Sequence, residues 1–322
     1  MAHCLEKLAD GSYSHAYVGE VPWHGLGTRV EADLPPEAIM KAAGLDWEVQ
    51  KVPLFAEIGG QKIQTKAEAL IRSTDNRILS TVTDSWNPVQ NAEAFDFFSE
   101  FVQAGDMEMH TAGSLHGGQV VWALAKLKNT FFELFGGDRT DGYLLFSNPH
   151  KFGKAIDVRF TATRVVCNNT LTLALESESS NMVKMSHRRE FNPELVKETL
   201  GVSTAKLDKY REAAVFLGSK QYTAENVVDY FNRIFPKTTE AKAEAAELAS
   251  RAARIANDVL ETQPGAQYAE GSFWQLYNAV TFTTDHLLGR SADTRVASSW
   301  FGANKDRKVR ALNLAIELAE AA

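Results

Sequence analysis

The stretch TATRVVCNNTLTLAL, Thr161 to Leu175, sets an arginine, a cysteine and two asparagines between two apolar runs. A guanidinium in such a setting needs an anionic partner, because an unpaired buried charge costs several kcal/mol. Alternation from Ile156 assigns Ile156, Val158, Phe160 and Ala162 to one face of a strand, and Asp157, Arg159, Thr161 and Thr163 to the other. On that count Arg164 falls on the apolar parity, while Val165 and Cys167 fall on the polar one. Two readings follow: a bulge or strand end that aims Arg164 into a cleft toward a ligand anion, and a buried arginine held by a protein carboxylate. Cys167 precedes Asn168, Asn169 and Thr170, and so falls near the start of a helix expected over Thr170 to Ser177. Such a position lowers a thiol pKa. A nucleophilic cysteine also needs a base, and spacing puts none of the eight histidines beside it.

Charge is distributed unevenly around this stretch. The net charge is −7, and residues 1–100 alone hold 8 Lys+Arg against 15 Asp+Glu, so the rest of the chain is neutral. Within it, Lys151, Lys154, Arg159, Arg164, Lys184, Arg188 and Arg189 face only Asp157, Glu176, Glu178 and Glu190, a local balance of +3 over residues 151–190. A second group, Lys305, Arg307, Lys308 and Arg310, follows an aromatic stretch near the end, where arginines beside rings suit stacking and phosphate contact. Trp274 and Tyr277 repeat at helical spacing and read as core. His110 and His116 flank the turn GSLHGG, and two histidines alone make a poor metal site. Asp138 and Asp141 in GGDRTDG read as turn formers. Neither HExxH, paired CxxC, GxxxxGK[ST] nor GxGxxG occurs, so no metal, nucleotide or dinucleotide cofactor is expected.

The elements that must carry these residues change character along the chain. The 322 residues are 44% hydrophobic, enough for one large domain or two medium ones. No apolar run is long enough for a membrane span, the start lacks a signal-peptide pattern, and two distant cysteines imply free thiols, so a cytoplasmic protein is expected. Residues 1–30 show neither helical nor strand period and read as an ordered loop or arm. LPPEAIMKAAGLD reads as a short helix; Trp47 to Val82 as three strands; Ala92 to Gln103 as a helix. Strands follow at MEMHTA, QVVWALAKL, GYLLFSN, AIDVRFTATRV and NMVKMSHRR, with connections too short for crossover helices. From Asn192 the chain reads as helical, at NPELVKETL and then at roughly 205–218, 223–234, 239–261, 271–287 and 306–321. The expected class is α+β: an arm over 1–30, an α+β core domain with a mainly antiparallel meander over 31–190, and a helical part over 191–322.

AYVGEVPWHGLGTRV near the start, RVVCNNTLTLAL in the middle and FWQLYNAVTFTTDHLLGRSADTRVASSWFG near the end together resemble the phage- and plasmid-encoded family called domain of unknown function 932. That resemblance implies a mobile-element product and, by association with replication and recombination genes, a role in DNA processing. The meander followed by helices is also similar in architecture to ring-forming phage single-strand annealing recombinases, in which each subunit adds a few cations to a shared groove. The leading expectation is therefore an ATP-independent, homo-oligomeric protein that binds and anneals single-stranded DNA, with enzymatic activity left open. Its phosphate contacts would be Lys151, Lys154, Arg159, Arg164, Lys184, Arg188, Arg189, Lys305, Arg307 and Lys308, with stacking at Phe160 or Trp300. The alternatives are an enzyme with a Cys167 nucleophile or an anion site at Arg164, and a phage protein that engages a host protein through its acidic first hundred residues.

Overall fold

The computed structural model describes residues 5–19, 21, 25–164, 169–171, 182–188, 208–237, 247–289, 295, 298–300 and 302–322. Strands dominate up to Met185 and helices after residue 208, the α+β arrangement expected from the pattern. The chain forms two compact units, one of Met1–Asn129, Tyr143–Phe160 and Glu178–Gly201, the other of Thr130–Gly142, Thr161–Ser177 and Val202–Ala322.

In the first unit a large sheet is built from β1 (His15–Val18), β2 (Thr28–Val30), β6 (Met107–Leu115), β7 (Val120–Leu134), β8 (Asp138–Pro149), β9 (Ile156–Arg164) and β11 (Met182–Met185). The strands β7, β8 and β9 also supply residues to the second unit. The residues expected to form an arm contain β1, which pairs antiparallel with β6 (Ala16 opposite Ala112) and parallel with β2. Strands of four and three residues are too short to show a period, which is why the sequence reads there as loop. Helix α1 (Pro36–Ala42), with proline at its first position, packs on β1, β2 and β6. The helix expected over 92–103 is two short ones, α2 (Asn91–Asp96) and α3 (Ser99–Gln103), joined at Phe97 and Phe98, whose rings pack against Phe146.

A separate three-stranded antiparallel sheet, β3 (Val49–Ile58), β4 (Gln61–Arg72) and β5 (Ile78–Thr83), follows the expected run of three strands. Its β3–β4 turn is Gly59–Gly60, both at positive φ, the two-residue hairpin geometry that glycine adopts without strain.

One buried ion cluster ties these parts of the first unit together. Glu6 accepts from Arg72 Nη1 at 2.6 Å through one carboxylate oxygen and from Ser114 Oγ at 2.7 Å through the other. Arg72 also forks onto Asp75, Nε to Oδ1 at 2.9 Å and Nη2 to Oδ2 at 2.6 Å, and stacks over Trp47. That fork holds the Asp75 carboxyl down at about 2. The GSLHGG hairpin closes over the cluster: a Cβ at Gly118, which sits at φ +87°, would lie 2.9 Å from Arg72 Nη1. Gly117 and Gly118 are therefore glycine for two independent reasons, backbone conformation and close approach.

In the second unit α4 (208–219), α5 (Ala224–Ile234), α6 (Arg251–Asp258) and α8 (Ala303–Ala321) accompany α7 (Phe273–Phe282), every residue of which from Phe273 to Thr281 is buried. A helix apolar on all sides belongs in a core, and α6 and α8 both pack on it. Trp274 is core, as its spacing implies, and donates its indole N–H to Asp138 at 2.9 Å. Asp138 and Asp141 are thus not turn residues: both are buried on β8, one under Trp274 and one accepting from Arg139 Nε at 2.8 Å. Where a helix was expected from Thr170, β10 (Asn169–Leu171) pairs instead with Ala162–Arg164. The expected helix NPELVKETL and the start of the 239–261 helix lie outside the described residues.

Replacing Glu6 by Ala leaves the Arg72 guanidinium and Ser114 hydroxyl short of a buried acceptor. The expected cost is about 2–4 kcal/mol in urea denaturation, and the pair Glu6→Leu with Arg72→Met is expected to recover most of it, since removing both charges removes the desolvation penalty too.

Candidate nucleic-acid interface

The loop between β8 and β9, His150–Lys151–Phe152–Gly153–Lys154, alternates one buried anchor with exposed groups. His150 is fully buried, while Lys151, Phe152 and Lys154 are exposed, Phe152 by 49%. Gly153 sits at φ +76°, which turns the chain so that Lys154 follows without a strained side chain.

Three neighbours fix the loop. The His150 N–H donates to the Gln119 carbonyl at 2.8 Å, the Phe152 N–H donates to Ser80 Oγ at 3.2 Å, and the Gln119 amide in turn donates to the Leu79 carbonyl at 2.7 Å. The His150 ring lies 3.0 Å from Asn91 Oδ1 through Nε2. Asn91 Nδ2 is already donating to the carbonyls of Leu45 (3.0 Å) and Trp47 (3.3 Å), so its oxygen faces His150 as acceptor and His150 Nε2 must carry the proton. His150 Nδ1 is then the bare nitrogen, buried with no partner.

His187 does the same for the segment after β11. Its Nδ1 donates to the Asn87 carbonyl at 3.1 Å, its own carbonyl accepts from the Asn87 N–H at 2.7 Å, and its ring stacks on Trp86 at 4.1 Å. Burial pushes His150 down to about 3, aided by the nearby His187, and pushes His187 down to about 4 against the opposing carbonyls of Asn87 and Pro149. Both rings are neutral at pH 7. The Pro149 carbonyl facing His187 brings the root of the 150–154 loop beside the segment that carries Arg188.

The exposed groups on these two segments are cationic. Lys151, Lys154, Lys184 and Arg188 are exposed and none is in an ion pair among the described residues. Lys151 faces His116 of the GSLHGG turn closely enough that its charge, after burial, helps lower that ring's pKa. Arg77 joins the same corner, its guanidinium standing over Gly117 and half exposed, 3.8 Å from Glu6.

The remaining expected contacts fall elsewhere. Arg159 is paired with Asp157 in a chelated fork and mostly covered, so that charge is neutralised within the strand. Phe160 is 3% exposed and is core, so it has no face to offer a base. Lys308 is fully buried in the second unit with Nζ 2.9 and 3.2 Å from the Asp285 oxygens, where Ser299 Oγ also donates; it serves the fold and is closed to a ligand. Lys305 and Arg307 belong to the second unit as well. Arg164 is the last described residue of β9 and pairs with Asn169; its side chain, Cys167 and Arg189 lie outside the described residues. His110 packs edge-on to Tyr143, and among the described residues no group of three potential metal ligands occurs. Among the described residues no helix is long and apolar enough to cross a membrane.

Phe152, Arg77 and His116 are the members of this corner that pattern reading passed over as interface. The signal was present in HKFGK, an aromatic between two lysines beside a glycine, where an apolar ring has no strand period to bury it. Arg77 carried no signal, because its place depends on the packing of two separate sheets.

The chain presents a cationic loop corner over two buried histidines. It belongs to the family described as domain of unknown function (DUF932), whose model matches residues 78–311, more than two thirds of the chain and all of the 150–154 loop. No curated protein and no solved structure matches it.

His15, whose ring donates from Nδ1 to the Leu26 carbonyl at 2.9 Å, is likewise pushed by burial to about 4. These three histidines have folded pKa values below the unfolded value of about 6.5. Their stabilising contribution is complete above that value and is lost as pH falls toward 4 and then 3, with a slope of up to about 1.4 kcal/mol per pH unit for each. Urea denaturation between pH 7 and pH 4.5 is expected to show that loss, and His150→Gln is expected to flatten it; an unchanged slope would show that His150 is not neutral in the fold.

Proposed function

We propose that this protein binds single-stranded DNA along its sugar-phosphate backbone, without nucleotide hydrolysis, and promotes annealing of complementary strands in phage or plasmid recombination. The observation that carries the proposal is the 150–154 loop, which presents a lysine, an aromatic ring and a second lysine above a buried anchor. Phosphates are held by Lys151, Lys154, Lys184 and Arg188, and a base stacks on Phe152. Stacking is tolerant of sequence because every base has a π-face, which suits a protein that must meet any strand.

A chain with net charge −7 does not attract a polyanion as a whole, so the contact is local. Assembly of several copies would set their corners along one strand and multiply a modest patch into a long footprint. This is why a homo-oligomer is part of the proposal.

With about four phosphates neutralised per subunit, log affinity for a single strand falls against log salt with a slope of about −3. Fluorescence anisotropy of an oligo-dT with the full chain tests this. Lys151→Glu with Arg188→Glu is expected to weaken binding at least tenfold and make the slope shallower, with the melting temperature unchanged because both groups are exposed and in no ion pair among the described residues. Phe152→Ala is expected to weaken it by about tenfold, with little change in slope. Wild-type affinity in both variants would refute the proposal.

A further inference from the structure

We propose that the first two turns of α8 carry an oxyanion site in which Arg307 and Arg310, with Lys305 at the edge, take a phosphate group. The second unit holds this site by itself, and it is independent of the 150–154 loop.

Arg307 is the unusual group. Its guanidinium is partly buried, and Nη1 donates to Asn304 Oδ1 at 2.6 Å. The carbon of the fork stands 5.4 Å over the Phe235 ring, and Nε is buried with no hydrogen-bond partner. Among the described residues no carboxylate pairs with it. Asn304 is itself fixed, its amide donating to the Thr284 carbonyl at 3.0 Å, so the guanidinium is held in place by a neutral group and a ring face. Burial, and then the like charge of Arg310 one turn on, push Arg307 below the usual arginine range.

The neighbouring residue shows what the fold does with a cation that it means to neutralise. Lys308 is provided with Asp285 and Ser299 in a closed cluster. Arg307, just before it in the chain, has no carboxylate partner among the described residues. A partly desolvated charge without a counterion is unfavourable by itself, and a positively charged neighbour adds to the cost.

The helix makes the imbalance larger. With Lys308 matched by Asp285, Lys305, Arg307 and Arg310 stand in the first two turns of a 19-residue helix against one acidic residue there, Asp306. The N-terminal end of a helix is its positive pole, where cations cost about 0.3–1 kcal/mol each and an anion is stabilised. Gly302 at the N-cap brings no side-chain acceptor, and the one first-turn cap is Ser298 Oγ, which accepts from the Asn304 N–H at 3.2 Å, leaving the end without a negative charge from its cap. An anion seated between the forks reverses the sign of every one of these terms.

Phosphate chemistry fits better than a carboxylate. A phosphate presents three or more oxygens, so it can meet the open edge of one guanidinium, a second cation and the helix end together, whereas a carboxylate is used up by a single fork. A free phosphate, a terminal phosphomonoester and a backbone phosphodiester share that chemistry.

The test is thermal unfolding of the full chain against inorganic phosphate at constant ionic strength, with chloride as the balance. The wild type is expected to show a saturable rise in melting temperature. Arg307→Lys, which keeps the charge and loses the fork, and Arg310→Gln, at an exposed position, are each expected to shift the phosphate midpoint by about tenfold. Arg307→Met is expected to melt higher than wild type in chloride and to lose the response to phosphate. Lys151→Glu with Arg188→Glu is expected to respond to phosphate as the wild type does, which separates this site from the nucleic-acid corner. Competition by an oligo-dT with and without a 5′-phosphate then assigns the source: both compete if an internal phosphodiester is taken, only the phosphorylated one if the group is terminal, and neither if it is free phosphate. No phosphate response in the wild type, or a response that survives both Arg307→Lys and Arg310→Gln, overturns the site.

Discussion

The account of the first unit depends on two histidines that burial keeps neutral. His150 and His187 are each oriented by one hydrogen bond from a protonated ring nitrogen to an oxygen whose role is fixed, Asn91 Oδ1 in one case and the Asn87 carbonyl in the other. Neutrality matters twice. Neutral rings can be buried against Trp47 and Trp86 without the desolvation cost of an ion, and they add no positive charge beneath Lys151 and Arg188. The exposed cations beside them are therefore held in position by groups that do not repel them.

Charge pairing divides the basic residues into two sets by physical circumstance. Arg72 with Glu6 and Asp75, Arg159 with Asp157, and Lys308 with Asp285 are covered and each has its carboxylate within the same unit. A buried ion of this kind must be matched, and the fold matches it. Lys151, Lys154, Lys184 and Arg188 are exposed and unmatched among the described residues, which water alone can sustain. Arg307 is intermediate, partly covered and without a carboxylate partner among the described residues, and for that reason it stands apart from both sets.

Much of the fold was legible because its elements are long enough to show a period. The alternation of Ile156, Val158, Phe160 and Ala162 identifies the core face of β9, all four being buried. Pro36 marks the start of α1, and GG at 59–60 marks a hairpin. The failures have equally local reasons. β1 and β2 are too short for any period, and the Asp138–Thr140–Asp141 run resembles a turn because nothing nearby in sequence reveals that Trp274, more than a hundred residues on, will donate to it. At the candidate interface the sequence indicated a basic segment but not which members are free. Arg159 and Lys184 are both cations on strands of one sheet, and only the register, with Lys184 opposite Asp157 and Asp157 forked onto Arg159, shows that one is spent and the other exposed. Lys308 and Arg307 are adjacent in a basic cluster, yet a helix turns successive residues by about 100°, so one enters the core and the other remains at its rim.

The most direct measurement is photo-cross-linking of a 5-iodouracil-substituted single strand to the full-length chain, followed by mass spectrometry of the joined peptide. The account predicts that the modified peptide spans residues 150–154, with the base joined at Phe152. A strand that binds and cross-links only at other segments would contradict it.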